Sequence, residues 1–107
     1  MKDTRMMRTT LEHELAETRM RIAELQETFQ EKPGYGLGRG SPEATRREVD
    51  RALLQRLRER AESLEQAMLR LTEGSYGICT QCGKPIRPER LAVLPDTQVC
   101  IGCAQRN

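Results

Sequence analysis

The chain has 107 residues, of which 36% are hydrophobic, 3% aromatic and 32% charged, with no tryptophan; that is the size of one small domain with a thin core, and it excludes a multidomain enzyme built round a large apolar interior. The formal charge of +2 is spread out, with 5 basic and 7 acidic side chains in residues 1–31, 2 and 0 in 32–41, 7 and 7 in 42–74, and 4 and 2 in 75–107, an interleaving that argues against nucleic acid as the main partner. No run approaches the ~20 apolar residues of a membrane span, and Met1-Lys2-Asp3-Thr4-Arg5 leads into no signal-peptide core, so a cytoplasmic protein with no membrane partner is expected.

From Leu11 the seam positions run Leu11, Leu15, Thr18, Ile22, Leu25, Phe29, in alternating steps of 4 and 3. That is the seam of a coiled coil with one polar substitution, so a long first helix is predicted. Glu17 and Arg21 add an i,i+4 pair on its outer side. His13, the single histidine, falls between Leu11 and Leu15 on the solvent face and reads as a surface residue, neither ligand nor base.

The helix pattern stops at Lys32-Pro33-Gly34-Tyr35-Gly36-Leu37-Gly38-Arg39-Gly40, where glycine occupies every second position, and a loop over 32–41 is predicted. It is no phosphate cradle: no strand pattern precedes it and no Gly-Lys-Ser or Gly-Lys-Thr follows. Ser41, Pro42 and Glu43 then supply a cap, a first-turn proline and an acidic first turn. The second seam is Leu54, Leu57, Ala61, Leu64, Met68, Leu71, widened by Leu53 and stopped by Gly74. Two helices of about 30 residues on either side of one loop predict an antiparallel hairpin over 1–74 with the loop at its tip.

Residues 75–107 carry a different signal. Cys79-x2-Cys82, seventeen residues, then Cys100-x2-Cys103 has the spacing of a four-cysteine zinc site. Gly83 suits the positive φ of a knuckle turn, and Lys84, Arg87 and Arg90 are placed to offset the −2 charge of a zinc–tetrathiolate centre or to touch a partner. The competing interpretations are two disulfides, and a thioredoxin-like redox pair, which needs a βαβ context that is missing. Four protein sulfurs leave no open coordination position, so one structural Zn2+ is expected and metal catalysis is not; with no histidine near a serine or cysteine, no catalytic triad is available either. The expected fold class is mostly α: an antiparallel two-helix coiled-coil hairpin followed by a small four-cysteine zinc finger.

The pattern Gly74-Ser75-Tyr76-Gly77-x-Cys79-x-x-Cys82-Gly83-x-x-Ile86, continued by Arg90-Leu91, Pro95, Cys100 and Cys103, resembles the zinc finger of the DksA/TraR family of bacterial transcription regulators, and the hairpin resembles that family's coiled coil. The resemblance implies a non-enzymatic protein that binds core RNA polymerase rather than promoter DNA. It also implies a hairpin that enters the secondary channel, brings its tip near the active centre and alters open-complex lifetime. The tip residues expected to meet the partner are Lys32, Tyr35, Leu37 and Arg39.

The sequence departs from the family at two places. The acidic Asp-x-x-Asp-x-Ala tip of well-known members is replaced at the matching positions by Gly36, Arg39 and Ser41. Of the basic residues that members responsive to guanosine tetraphosphate use, Arg56 matches one, but Ala104 follows Cys103, so little response to that nucleotide is expected. Two other functions fit the residues without the resemblance: a zinc ribbon binding nucleic acid or the ribosome through Lys84, Arg87, Arg90 and the basic loop, and a thiol-based redox sensor that releases zinc.

Overall fold

The computed structural model describes residues 4–31 and 42–106, with side chains placed at 4–28 and 45–106. Helix α1 spans Thr4–Glu31, α2 Pro42–Glu73, α3 Pro88–Val93 and α4 Ile101–Arg106. The loop 32–41 and the Ser41 cap lie outside the described residues. Among the described residues there is no strand, only an isolated antiparallel bridge between Ile78 and Pro85, and no helix is long and apolar enough to cross a membrane.

The chain forms two compact units, Met1–Leu15 with Glu62–Asn107, and Ala16–Ala61. In the first, Leu11 and Leu15 of α1 are buried, as are Leu64, Ala67 and Leu71 of α2. Arg8 donates from Nη2 to Thr72 Oγ1 at 3.3 Å, joining the start of α1 to the end of α2, which makes the pair antiparallel. Each leucine withdrawn from water contributes about 1.5–3 kcal/mol, so the seam, not helix propensity, supplies most of the stability. In the second unit Thr18, Leu54 and Ala61 are buried and Ile22, Leu25 and Leu57 half-buried. A groove of about 370 Å³ there has Arg21, Glu24, Leu25 and Thr28 on its α1 side and Leu53 and Leu57 on its α2 side.

The seam differs from expectation at two positions. Ala67 is fully buried, whereas Met68 is half-buried. Both fit a 3.6-residue period between Leu64 and Leu71, and the short alanine side chain is the one that is wholly covered. Leu53 does not widen the buried stripe and is 46% exposed.

α2 ends in a Schellman motif. Gly74 has φ +88°, its N–H donates to Leu71 O at 3.3 Å, and the N–H of Ser75 reaches back to Arg70 O at 2.9 Å; the left-handed conformation is what makes glycine the stop. Beyond it, Cys79, Ile86, Leu91 and Cys103 form the finger's core, with Tyr76, Val99 and Cys100 packed against them. Pro88 at the first turn of α3, after an extended Arg87, starts the short helix that delivers Leu91.

Candidate metal centre

The first cysteine pair sits on a tight turn. Cys79 N–H donates to Lys84 O at 2.9 Å and Gly83 N–H to Cys79 O at 3.0 Å, and Gly83 takes φ +79°, as its place after the second ligand predicts. The amides of Gln81 and Cys82 point at Cys79 Sγ from 3.4 and 3.5 Å, a cradle for a thiolate. The second pair opens α4, where Ala104 N–H donates to Cys100 O at 2.9 Å.

The sulfurs of Cys79, Cys82, Cys100 and Cys103 all lie within 4.8 Å of one another, and those of Cys82 and Cys100 are 3.7 Å apart. A tetrahedral zinc with Zn–S of about 2.3 Å has S···S edges of about 3.8 Å, whereas a disulfide needs about 2.05 Å. All four cysteines are free thiols, so the disulfide alternative fails and the residues fit the metal: four close cysteines are positioned to bind one ion.

Their proton affinities fit a cation as well. Cys79 is drawn down to about 6, chiefly by the backbone N–H of Cys100 and, against burial, by those of Cys82 and Gln81. Cys100 is also lowered, first by the backbone N–H of Cys103. Cys103 is pushed up to about 12, first because its S–H is hydrogen-bonded to the Cys79 sulfur and then by burial. Four sulfurs this close cannot all ionise unaided, and a divalent cation at their centre removes that conflict.

The other residues singled out by the sequence are placed as follows. Lys84 and Arg87 are exposed and border a groove of about 580 Å³ whose apolar side includes Pro85, Val93, Leu94 and Ile101. Arg90 lies on the same groove but turns its Nε inward to Val99 O at 3.0 Å. His13 is exposed. Lys32, Tyr35, Leu37 and Arg39 lie outside the described residues. The structure adds Arg70 and Thr97, joined by a 3.3 Å bond from Arg70 Nη2 to Thr97 O, and the Tyr76 hydroxyl donating to Pro95 O at 2.8 Å. A basic residue in the last turn of a helix is too common to have pointed to Arg70.

Residues 74–107 match the family of the prokaryotic dksA/traR C4-type zinc finger. The match is confined to the last third of the chain. Among curated relatives, "RNA polymerase-binding transcription factor DksA" of Caulobacter vibrioides is 38% identical over 64 residues, 56% of this chain and 45% of that protein. An uncharacterized protein of Aquifex aeolicus is 38% identical over 42 residues, 39% of this chain and 29% of that one. The chain thus spans less than half the length of these curated relatives. Among solved structures, the transcription factor DksA2 from Pseudomonas aeruginosa superimposes with a TM-score of 0.77 at 28% identity, covering 96% of this chain and 81% of that one. The mostly helical fold, two long helices followed by a four-cysteine cluster, is therefore similar to that of DksA2.

Proposed function

We propose that this chain is a non-catalytic regulator of bacterial transcription that binds RNA polymerase, acts in the cytoplasm, and reaches the enzyme's interior through the secondary channel. The observation that carries the proposal is the joint occurrence of a DksA/TraR finger at residues 74–107 and a DksA2-like fold over 96% of the chain; the Caulobacter DksA is by its name a polymerase-binding transcription factor. In this proposal zinc is held by Cys79, Cys82, Cys100 and Cys103 and is structural, because four sulfurs saturate a tetrahedral ion. Residues 1–74 act as the probe and 75–107 as the anchor. The 32 residues of α2 measure about 48 Å at 1.5 Å each, a length suited to a narrow channel.

The tip carries the proposed specificity. With Lys32 and Arg39 in place of an acidic pair, it attracts phosphates where an acidic tip competes for cations or repels them. Weak inhibition at stable-RNA promoters and little potentiation by guanosine tetraphosphate are therefore expected, with no sequence-specific DNA contact. Core polymerase should co-purify with the chain after nuclease treatment, and cross-links should map to the channel rim. Deleting the matched heptads 19–25 and 58–64 retracts the tip about 10 Å while keeping the seam. Binding should survive and the transcriptional effect should fall; an undiminished effect would refute the channel route. Arg39→Asp tests the charge of the tip in the same transcription assay.

A further inference from the structure

Three consecutive carbonyls immediately before Cys100 are each taken by a donor from a different element. Arg70 Nη2, from the end of α2, reaches Thr97 O at 3.3 Å. Thr80, in the first cysteine turn, donates its N–H and its hydroxyl to Gln98 O at 2.9 and 3.2 Å. Arg90 Nε, from α3, reaches Val99 O at 3.0 Å, and its Nη2 lies 3.5 Å from Thr97 Oγ1. Loop carbonyls are commonly left to water, so three side-by-side acceptors claimed by three elements amount to a built-in fixation of this tripeptide.

Arg70 acts at both ends of the problem. Its own carbonyl accepts the N–H groups of Ser75 and Tyr76 at 2.9 and 3.2 Å, which fixes where the chain departs toward Cys79. Its side chain fixes where the chain arrives at Cys100. Its Nε is buried with no hydrogen-bond partner, so a desolvation cost accompanies this placement and the Thr97 bond offsets part of it. A planar guanidinium presents its donors in a fixed fork, which suits a positioning role better than a flexible ammonium.

We propose that Thr97–Val99 is a clasp that sets the second cysteine pair against the first, and that Arg70 is the positioning residue through which both pairs are registered on the end of α2. The clasp pre-arranges the metal site whether or not polymerase is the partner. Seventeen residues separate the two pairs, so without the clasp the second pair samples many separations from the first and metal affinity falls.

The test uses the full chain loaded with Co2+, with affinity read by chelator competition and each cysteine's alkylation rate read by mass spectrometry. Arg70→Gln should weaken Co2+ binding by about 10- to 100-fold and speed alkylation of Cys100 and Cys103 more than that of Cys79 and Cys82, with the helical signal retained. Arg70→Lys, which returns a donor on a long stem, should recover part of the loss. Arg58→Gln, exposed on α2, should change neither readout. An affinity within about twofold of the unsubstituted chain, or equal acceleration at all four cysteines, would overturn the proposal. If Arg70→Gln fails to fold, Arg90→Gln makes the same comparison through the Val99 carbonyl: selective opening of the second pair supports the clasp, and its absence overturns it.

Discussion

The hairpin unit Ala16–Ala61 and the finger that begins at Gly74 are held together by different kinds of force. In the first, apolar side chains recur at helical spacing, with Leu54 and Ala61 buried and Leu57 half-buried. In the finger, Cys79, Ile86, Leu91 and Cys103 make a small buried cluster, and two of them, Cys79 and Cys103, are also candidate metal ligands. An apolar seam is non-directional and repeated, so losing one layer weakens it by an increment. A finger whose small core shares two side chains with its candidate ligand set, and whose loops are held by directional hydrogen bonds, fails as a whole.

The largest separation of the two regions should come from Cys82→Ser or from a strong chelator. Either should abolish tight metal binding and collapse amide dispersion for residues 75–106, while far-UV circular dichroism retains most of the helix signal; loss of both together would show that the finger supports the entire hairpin. The reciprocal break is Leu64→Ala. Leu64 is 0% exposed, and truncation there should cost about 2–5 kcal/mol, read as a fall in Tm, whereas Leu53→Ala, at a site 46% exposed, should cost under about 1 kcal/mol.

Acidity should sharpen the contrast further. Cys79, held at about 6 chiefly by the Cys100 amide, lies below its ordinary value, so its contribution to stability is full above that ordinary value and is lost as pH falls through about 6. Cys103, raised to about 12, keeps its proton at neutral pH and contributes the opposite way, its share being lost as pH rises toward 12. A metal must displace the Cys103 proton, so apparent affinity should fall about tenfold for each pH unit below 8 for each proton released. Chelator competition between pH 8 and 6 checks this, and the hairpin's Tm should move little over the same range. The smallest expected effect is that of Gly74→Ala. Nothing lies within 4 Å of a Cβ added there, so only the φ of +88° is penalised, by about 1 kcal/mol.

The hairpin was legible because burial repeats. Leu11, Leu15, Thr18, Leu54, Ala61, Leu64 and Leu71 stand at helical spacing and all are buried. Period alone does not distinguish the adjacent positions Ala67 and Met68, of which the smaller side chain is the buried one. The cysteines were legible from spacing, and Gly74 and Gly83 from the turns they had to make. The clasp was not. Carbonyl acceptors are present at every residue and carry no sequence signature, so nothing marked Thr97–Val99 in advance. Arg90, expected in the metal's surroundings or at a partner, has its Nε on Val99 O, beside the second cysteine pair, an acceptor that charge alone does not specify.

The unit that contains the finger joins Met1–Leu15 to Glu62–Asn107, and this discontinuity orders events during synthesis. The stripe at Leu11 and Leu15 leaves the ribosome ahead of Leu64, which follows after about fifty further residues, about 3–10 s at ordinary elongation rates. Throughout that interval the stripe at Leu11 and Leu15 has no mate. Its dense charge, with Glu12, Glu14, Glu17, Arg19 and Arg21 between and beside the seam positions, then serves a purpose apart from the folded state: it keeps a half-made hairpin from meeting another of its kind.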